Sequence, residues 1–516
     1  MTERFDAIVI GAGHNGLVCA SYLARAGLEV LCLEAADCAG GMAAPREAVN
    51  GYRFAGLAHL AHPVDAGIRK DLELDRHGYQ PGVAVSTVAL DDDGHHRVID
   101  GGDVSGEGLS SDEQQRWATL HGQGLAFARA LRPLFGNVAP RLKDMPFGDK
   151  YSLAKLGWNL RFGLGRNAMY DFLRIAGSNI YDLLNDELAD VRLKGALGLD
   201  AVLGNAMGPR TPGSVLTWLQ RLYGELEGPL HVQADGAAGL PAALQRSLED
   251  AGGTLRTGAR VEHLLLEDGK ATGVVLRSGE TLRAARVVSA ADPLSTFKTL
   301  VGAENLDAMF ARRVSQVRHK GVVARLNLAL RELPVFTGLD RGLAGQRLLL
   351  APSLRYVERA FNPSKYGECP QHPVLEITIP SVHDASLAPD GEHVMSINVA
   401  FVPHGITGEQ QDAVIESVIG NLERYAPGFS QLVIEREMLT PSGIEARYLA
   451  AGGHWHHGEL SMHQSFMMRP VYGAAQYDTP VDGLFLCSAG CHPGGGLTGL
   501  PGHHAARRIL ARRGAA

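Results

Sequence analysis

The stretch FDAIVIGAGHNGLVCASYLARAGLEVLCLEAA, residues 5–36, decides the fold. Phe5 to Ile10 is a short apolar run closed by glycine, the pattern of a buried strand. From Asn15 to Ala26, Leu17, Ala20, Leu23 and Ala24 recur at helical spacing, and Gly27 stops the helix. Glu29 to Leu33 is a second strand, so the stretch reads as a strand–helix–strand unit with a right-handed connection. Between strand and helix stands Gly11-Ala12-Gly13-His14-Asn15-Gly16. In a G-x-G-x-x-G turn the first glycine permits the bend, the second lets the backbone approach a pyrophosphate, and the third lets helix and strand pack closely. The helix start adds unpaired N–H groups and a partial positive charge. Glu34 ends the second strand, where a carboxylate accepts from ribose hydroxyls and repels a 2′-phosphate. The glycines alone are a weak signal. Strand, helix, spacing and acid together predict a dinucleotide site, against the bland reading of an ordinary α/β turn.

Two further features choose between NAD and FAD. Gly40-Gly41 follows Glu34 after five residues, in a loop suited to pass close to a bound dinucleotide. Near the other end, residues 484–502 read LFLCSAGCHPGGGLTGLPG, a strand and a glycine-rich loop before a helix at Pro501 to Ala511. A helix start there would stabilise negative charge on a reduced flavin. Gly494, Gly496 and Gly499 could be read as a second nicotinamide fingerprint, but no strand and acid follow them. FAD is therefore the expected cofactor. With no nicotinamide domain legible, oxygen or a quinone is the expected electron acceptor.

The intervening chain supplies the remaining elements. Leu109 to Tyr223 is mainly helical in pattern. Ala238 to Ala251 reads as a helix ended by Gly252-Gly253, and Val261 to Glu267, Ala271 to Arg277 and Thr281 to Ser289 read as three strands of a meander with Asp-Gly and Ser-Gly turns. Strands are expected at Val322 to Ala329, Val374 to Ile379 and Val394 to Phe401, with a helix near Glu409 to Tyr425. The expected fold class is α/β: a glutathione-reductase-like, Rossmann-type FAD-binding domain plus a mixed α+β substrate domain with a helical insertion. The expected pieces are 1–75, 225–300 and 470–516 for the FAD domain, and 76–224 and 301–469 for the substrate domain.

The 516 residues exceed one simple core, and the length prior is about three domains. Hydrophobic content of 45 % and charged content of 20 % mark an ordinary globular chain. Basic residues number 49 and acidic 56, a net charge of 49 − 56 = −7, with no basic run, which argues against nucleic-acid binding. None of the six cysteines forms a C-x-x-C pair, so a reducing compartment is expected. Only Met1 to Arg4 precede the first strand, and no apolar run approaches the roughly 18 residues of a spanning helix. The expected location is cytoplasmic, with peripheral membrane contact compatible. Oligomeric state is not legible.

The run from Ile10 to Cys19, the Gly40-Gly41 pair, Ala290-Ala-Asp-Pro293 and the tail HPGGGLTGLPG resemble the phytoene desaturase-like flavoproteins. Gly453-His-Trp-His-His457 through Gln464 to Arg469-Pro470 resembles a block in the branch of O-type β-carotene ketolases and pyridine nucleotide-disulfide oxidoreductase domain-containing protein 2. The resemblance implies a flavin-dependent desaturase, ketolase or dehydrogenase acting on a hydrophobic small molecule. It places FAD on Gly11, Gly13, Gly16, Glu34, Gly40, Gly41 and Gly494 to Gly499, with Val261 at the adenine. Neighbouring His14, Asn15, Met42, Gly490, Pro493, Gly495, Gly496, Leu497 and Thr498 complete the expected cofactor set. Met42 stands where many relatives have arginine, His454 where the branch often has asparagine, and His463 where it often has aspartate.

Histidines gather at His59 and His62, and at His454, His456, His457 and His463. Strand alternation would put His454 and His456 on one face and His457 opposite. No ligand follows at metal spacing, so no metal is expected, and the bland reading of any one histidine is structural. As a base beside a flavin, His457 is the first candidate and His59 the second, because imidazole titrates nearest neutral pH. Arg469 is expected to hold an anion or the flavin edge, its competing reading being a surface ion pair. His492 is expected to act through backbone close to the flavin. Trp158, Phe162, Tyr170, Phe172 and Trp218 in the helical insertion are expected mostly in the core, one or two of them lining a tunnel. The expected reaction is hydride transfer from substrate C–H to flavin, making C=C or C=O. The alternatives are an amine oxidase, a redox-neutral double-bond isomerase and a non-catalytic flavin-binding interaction protein.

Overall fold

In the computed structural model, which describes residues 4–44, 50–141, 145–232 and 239–513, the opening unit forms around a parallel sheet. Strand Ala7–Ile10 and strand Val30–Leu33 pair in parallel, and every residue of both is buried. Helix His14–Arg25 connects them. The sheet has five strands in the order 254–256, 30–33, 7–10, 287–289, 484–486, all parallel. Early, middle and late segments of the chain therefore build one layer. Both faces of such a sheet are covered, which is why its strands are unbroken apolar runs rather than alternating ones.

The meander differs from expectation at its third strand. Thr281 to Ser289 is not one strand: Thr281–Ala284 stays in the antiparallel meander, and Val287–Ser289 crosses into the parallel sheet between 7–10 and 484–486. Within the crossing, the Ala285 amide donates to the Phe5 carbonyl at 3.2 Å. One apolar run thus serves two sheets, which periodicity alone does not reveal. The helix expected from Ala238 is described as Gly239–Asp250, Ala238 lying outside the described residues.

An eight-stranded sheet forms the second layer, in the order 433–439, 323–330, 393–400, 375–378, 347–350, 87–89, 97–100, 103–105. Its strand Val323–Leu330, next to the 433–439 edge strand, is buried along its whole length. The described residues of 111–225 are mainly helical, and Trp117 and Trp218 are buried among them. Of the five aromatics expected mostly in the core, Phe172 and Trp218 are buried, but Trp158, Phe162 and Tyr170 are exposed, and none of the five lines the cavity described below. They sit on outer faces of their helices, so residue type misled where position decided.

The carboxy-terminal helix Leu500–Arg513 packs on the first helix. A Cβ at Gly502 would run into the Asn15 carbonyl, so the two glycine-flanked helix starts lie in direct contact. Among the described residues no helix is long and apolar enough to cross a membrane.

Candidate cofactor and substrate site

One cavity of about 910 Å³ runs from the first glycine turn into the space between the two large sheets and the helical region. Sixteen of the eighteen expected cofactor residues line it; Gly490 and Gly499 do not. Gly490 lies against Pro293 and the His457 carbonyl, and Gly499 against Val18 and Ile68, where each leaves room for a neighbour.

The residues present fit a dinucleotide. The first helix starts at Gly13 with no side-chain cap and no acid in its first turn, so its leading N–H groups are not claimed by a side chain. A Cβ built on Gly13 meets nothing within 4 Å, so it would occupy the cavity itself. Glu34 is pre-positioned: Oε2 accepts from the Ala12 amide at 2.8 Å and Oε1 from the Ala36 amide at 3.0 Å. Each oxygen keeps a lone pair for a ribose hydroxyl. Gly494, Gly495 and Gly496 all have positive φ (75°, 68° and 64°), a run that only glycine adopts without strain.

That second glycine loop is held from several sides. Gln220 Nε2 donates to the Pro493 and Gly494 carbonyls at 3.1 and 3.3 Å. The Tyr477 hydroxyl donates to the His492 carbonyl. The His14 ring lies close to the Gly496 backbone, so the two glycine turns meet at the cavity wall. His492 itself is fully buried and its Nε2 lies 2.8 Å from the Leu134 carbonyl, away from the cavity.

The histidine block is not a strand. Residues 451–453 form a single 3₁₀ turn, the His457 amide donates to the His454 carbonyl at 2.9 Å, and His457 has φ 55°. Strand alternation therefore does not apply. Trp455, His456 and His457 all line the cavity, while His454 is buried behind them. His457 Nδ1 is buried without a partner among the described residues, which leaves Nε2 as the nitrogen open to the cavity. Burial pulls the His457 pKa down against the opposing pull of Asp292, so the ring is neutral near pH 7.

His59 lines the cavity as expected, but its ring nitrogens are engaged, and Arg469 does not reach the cavity. His59 Nδ1 lies 2.6 Å from an Arg325 guanidinium nitrogen, which can only donate, and its Nε2 faces Glu376 at 3.4 Å. With Arg325 on Nδ1 and both Glu376 and Asn398 on Nε2, His59 has neither ring nitrogen free and is a positioning residue. Arg469 is neither on the surface nor on the cavity wall. It is 2 % exposed and donates to the carbonyls of His456, Gly458, Glu459, Gln464 and Ala489, pinning the histidine turn to the second glycine loop.

Residues 9–72 match the family model described as an NAD(P)-binding Rossmann-like domain. The chain is 30 % identical to pyridine nucleotide-disulfide oxidoreductase domain-containing protein 2 of Mus musculus, over 99 % of this chain and 94 % of that one. The chain belongs to the family of that protein. This family member is also 28 % identical to hydroxyneurosporene desaturase of Cereibacter sphaeroides, over 98 % and 97 % of the two chains, which agrees with the phytoene desaturase-like resemblance. Its fold matches that of putrescine oxidase bound to putrescine with a TM-score of 0.61, 16 % identity and full coverage of both chains.

Beyond the cofactor wall, this family member carries a buried polar network not foreseen in the sequence. Arg347 lies between Asp200 Oδ1 at 2.6 Å and Glu376 Oε1 at 2.7 Å, with its side chain fully buried. Burial alone would raise the Glu376 carboxyl, but Arg347, His59 and Arg221 hold it well below the usual range. Arg221 Nε lies 3.3 Å from Asp200 Oδ2. The Arg221 side chain lines the cavity. Among the described residues, no group of three or more His, Cys, Asp or Glu could hold a metal ion.

The buried imidazoles make the protein acid-sensitive. Burial lowers His14, His59, His62 and His492 to about 4, and His456 and His504 to about 3. In the unfolded chain these rings take protons from about pH 6.5 downward, so their contribution is complete above that pH and is lost as pH falls toward 4. Each of the fully interior His59, His492 and His504 contributes about 2 kcal/mol against folding at pH 5, by order of magnitude. The expected result is a melting temperature several degrees lower at pH 5 than at pH 7.5. Scanning calorimetry across that range checks it; a flat profile contradicts it.

Proposed function

We propose that this protein is an FAD-dependent dehydrogenase or desaturase that removes a hydride and a proton from an apolar small molecule bearing one polar acceptor group. The observation that carries this reading is the continuity of a single cavity from Gly13 and Glu34 to the apolar space beside His457. The desaturase relative supports C–C oxidation as the reaction class.

FAD, when bound, supplies the acceptor for the hydride. The Gly13 backbone and the first-turn N–H groups would hold its pyrophosphate, Glu34 its adenosine ribose and the Val261 backbone its adenine. Gly41, Met42 and the loop 494–498 would border the ring system. Leu57, Leu60, Leu203, Leu460 and Trp455 give the substrate end an apolar wall that excludes water. Neutral His457 takes the substrate proton at Nε2 as the adjacent C–H bond gives up its hydride. Arg221, on the cavity wall, offers guanidinium N–H groups to a carbonyl, hydroxyl or carboxylate on the substrate.

Anaerobic mixing of the holoprotein with apolar alkenes, alcohols and acids, phenols and amines tests the reading. Bleaching of the flavin band by an apolar alkene, alcohol or acid is the expected result. Bleaching by amines alone would make the protein an amine oxidase. Conversion at unchanged mass without bleaching would make it an isomerase, and no bleaching by any compound would leave a binding protein. With the bleaching substrate in hand, His457→Gln is expected to slow reduction by about 10²- to 10⁴-fold at unchanged FAD content.

A further inference from the structure

The helix Phe147–Trp158 has no buried residue. At 100° per residue, Phe147, Tyr151 and Trp158 fall within about 40° of one another on a single stripe. Leu156 lies on the opposite side and packs on the main core. Lys150 and Lys155 flank the stripe, one on each side. After a turn at 159–163, helix Arg166–Ile175 repeats the pattern, with Phe172 and Ile175 buried and Tyr170 and Leu173 facing out.

Phe147, Tyr151, Trp158, Phe162, Tyr170 and Leu173 are each between 56 % and 84 % exposed. The Trp158 and Phe162 rings touch, with centroids 4.3 Å apart. Arg161 lies over Phe162 and Arg166 beside Tyr170. Six large apolar side chains in 27 residues form a patch of the kind that marks an interaction surface. Their charge setting is opposite to that of the chain. Residues 147–175 hold Lys150, Lys155, Arg161, Arg166 and Arg174 against Asp149 and Asp171, so the segment is 5 − 2 = +3 on a protein of net −7.

We propose that this helix pair docks in the headgroup region of an anionic lipid surface. Aromatic rings with an apolar body and a polar edge favour the membrane interface, and flanking cations favour anionic headgroups. The patch is two short helices of 12 and 10 residues, which suits a surface rather than a span. A second copy of the chain is a poorer occupant, because it would bring +3 against +3 around the same rings.

Co-sedimentation of the full-length holoprotein with vesicles tests the proposal. Vesicles of phosphatidylcholine with phosphatidylglycerol at 3:1 are expected to bind at least tenfold more protein than phosphatidylcholine alone, and 0.5 M NaCl is expected to reverse most of that gain. The double variants Phe147→Ser/Trp158→Ser and Lys150→Glu/Arg161→Glu are expected to lose binding while keeping full FAD content, which reports that they fold. A brominated-chain phosphatidylglycerol should quench wild-type tryptophan emission, and Trp158→Phe should remove that quenching. Equal binding to neutral and anionic vesicles, unchanged binding by both variants, or no binding at all would overturn the proposal. So would concentration-dependent self-association that Phe147→Ser/Trp158→Ser abolishes, which would assign the face to a second copy.

Discussion

Replacing Gly16 by alanine is expected to give protein without a yellow chromophore. A Cβ at Gly16 would be driven into the Gly11 carbonyl oxygen and would press on the Ala290 methyl at 3.1 Å. The first obstacle is backbone of the turn itself, so no side-chain rotation relieves it. The helix start must move away from the strand end, and with it the N–H groups that face the cavity. Overpacking of this kind costs roughly 1–3 kcal/mol, and more where backbone must shift. The cofactor loss adds to it, because a ligand that binds only the folded state stabilises that state. Flavin content per chain and the melting temperature of the purified variant check the expectation. A variant with wild-type FAD content would show that the close approach at Gly16 does not govern the site.

Arg347→Met is the second large effect, and it falls far from the glycines. The guanidinium is fully buried and satisfies Asp200 and Glu376 together. Methionine fills similar volume but leaves Glu376 without this cation and Asp200 with Arg221 alone, and breaking a buried pair in this way costs about 3–5 kcal/mol. Removing the pair together, as Arg347→Met/Glu376→Leu, leaves Asp200 paired with Arg221 and is expected to recover part of that loss. The pH dependence has a definite sign. The Glu376 carboxyl is held well below its usual value, so its stabilisation is present above the unfolded carboxylate pKa and is lost as pH falls through it. The stability gap between wild type and Arg347→Met should therefore narrow as pH drops below about 4.5. Urea unfolding at pH 7.5 and pH 4 measures both claims; a gap that is small at pH 7.5 contradicts them.

Legibility in the sequence followed the range of the constraint. The two glycine loops were readable because a tight turn, a close backbone approach and a positive φ are local demands that only glycine meets. His14 and the tail glycines could be assigned to one site, yet the close approach of the His14 ring to the Gly496 backbone has no sequence signature. The buried polar network was invisible for the same reason. Asp200 and Arg221 lie on or beside helices of the insertion, while Arg347 and Glu376 sit on adjacent strands of the eight-stranded sheet. Only tertiary packing brings those four side chains together. Arg469 shows the opposite failure: it stood in a recognisable block, but its five carbonyl partners come from loops whose path the block does not specify. Residue type alone points most of the five insertion aromatics to the core, but Trp158, Phe162 and Tyr170 are exposed, and it is Leu156, across the helix from Trp158, that packs on the core.

The central claim is that glycine turns from the two ends of the chain converge on one FAD. Heat-denaturing the purified protein and identifying the released chromophore by absorbance and mass tests it most directly. The account predicts close to one FAD per chain. Release of a nicotinamide dinucleotide instead, or a colourless protein that takes up no FAD on reconstitution, would contradict it.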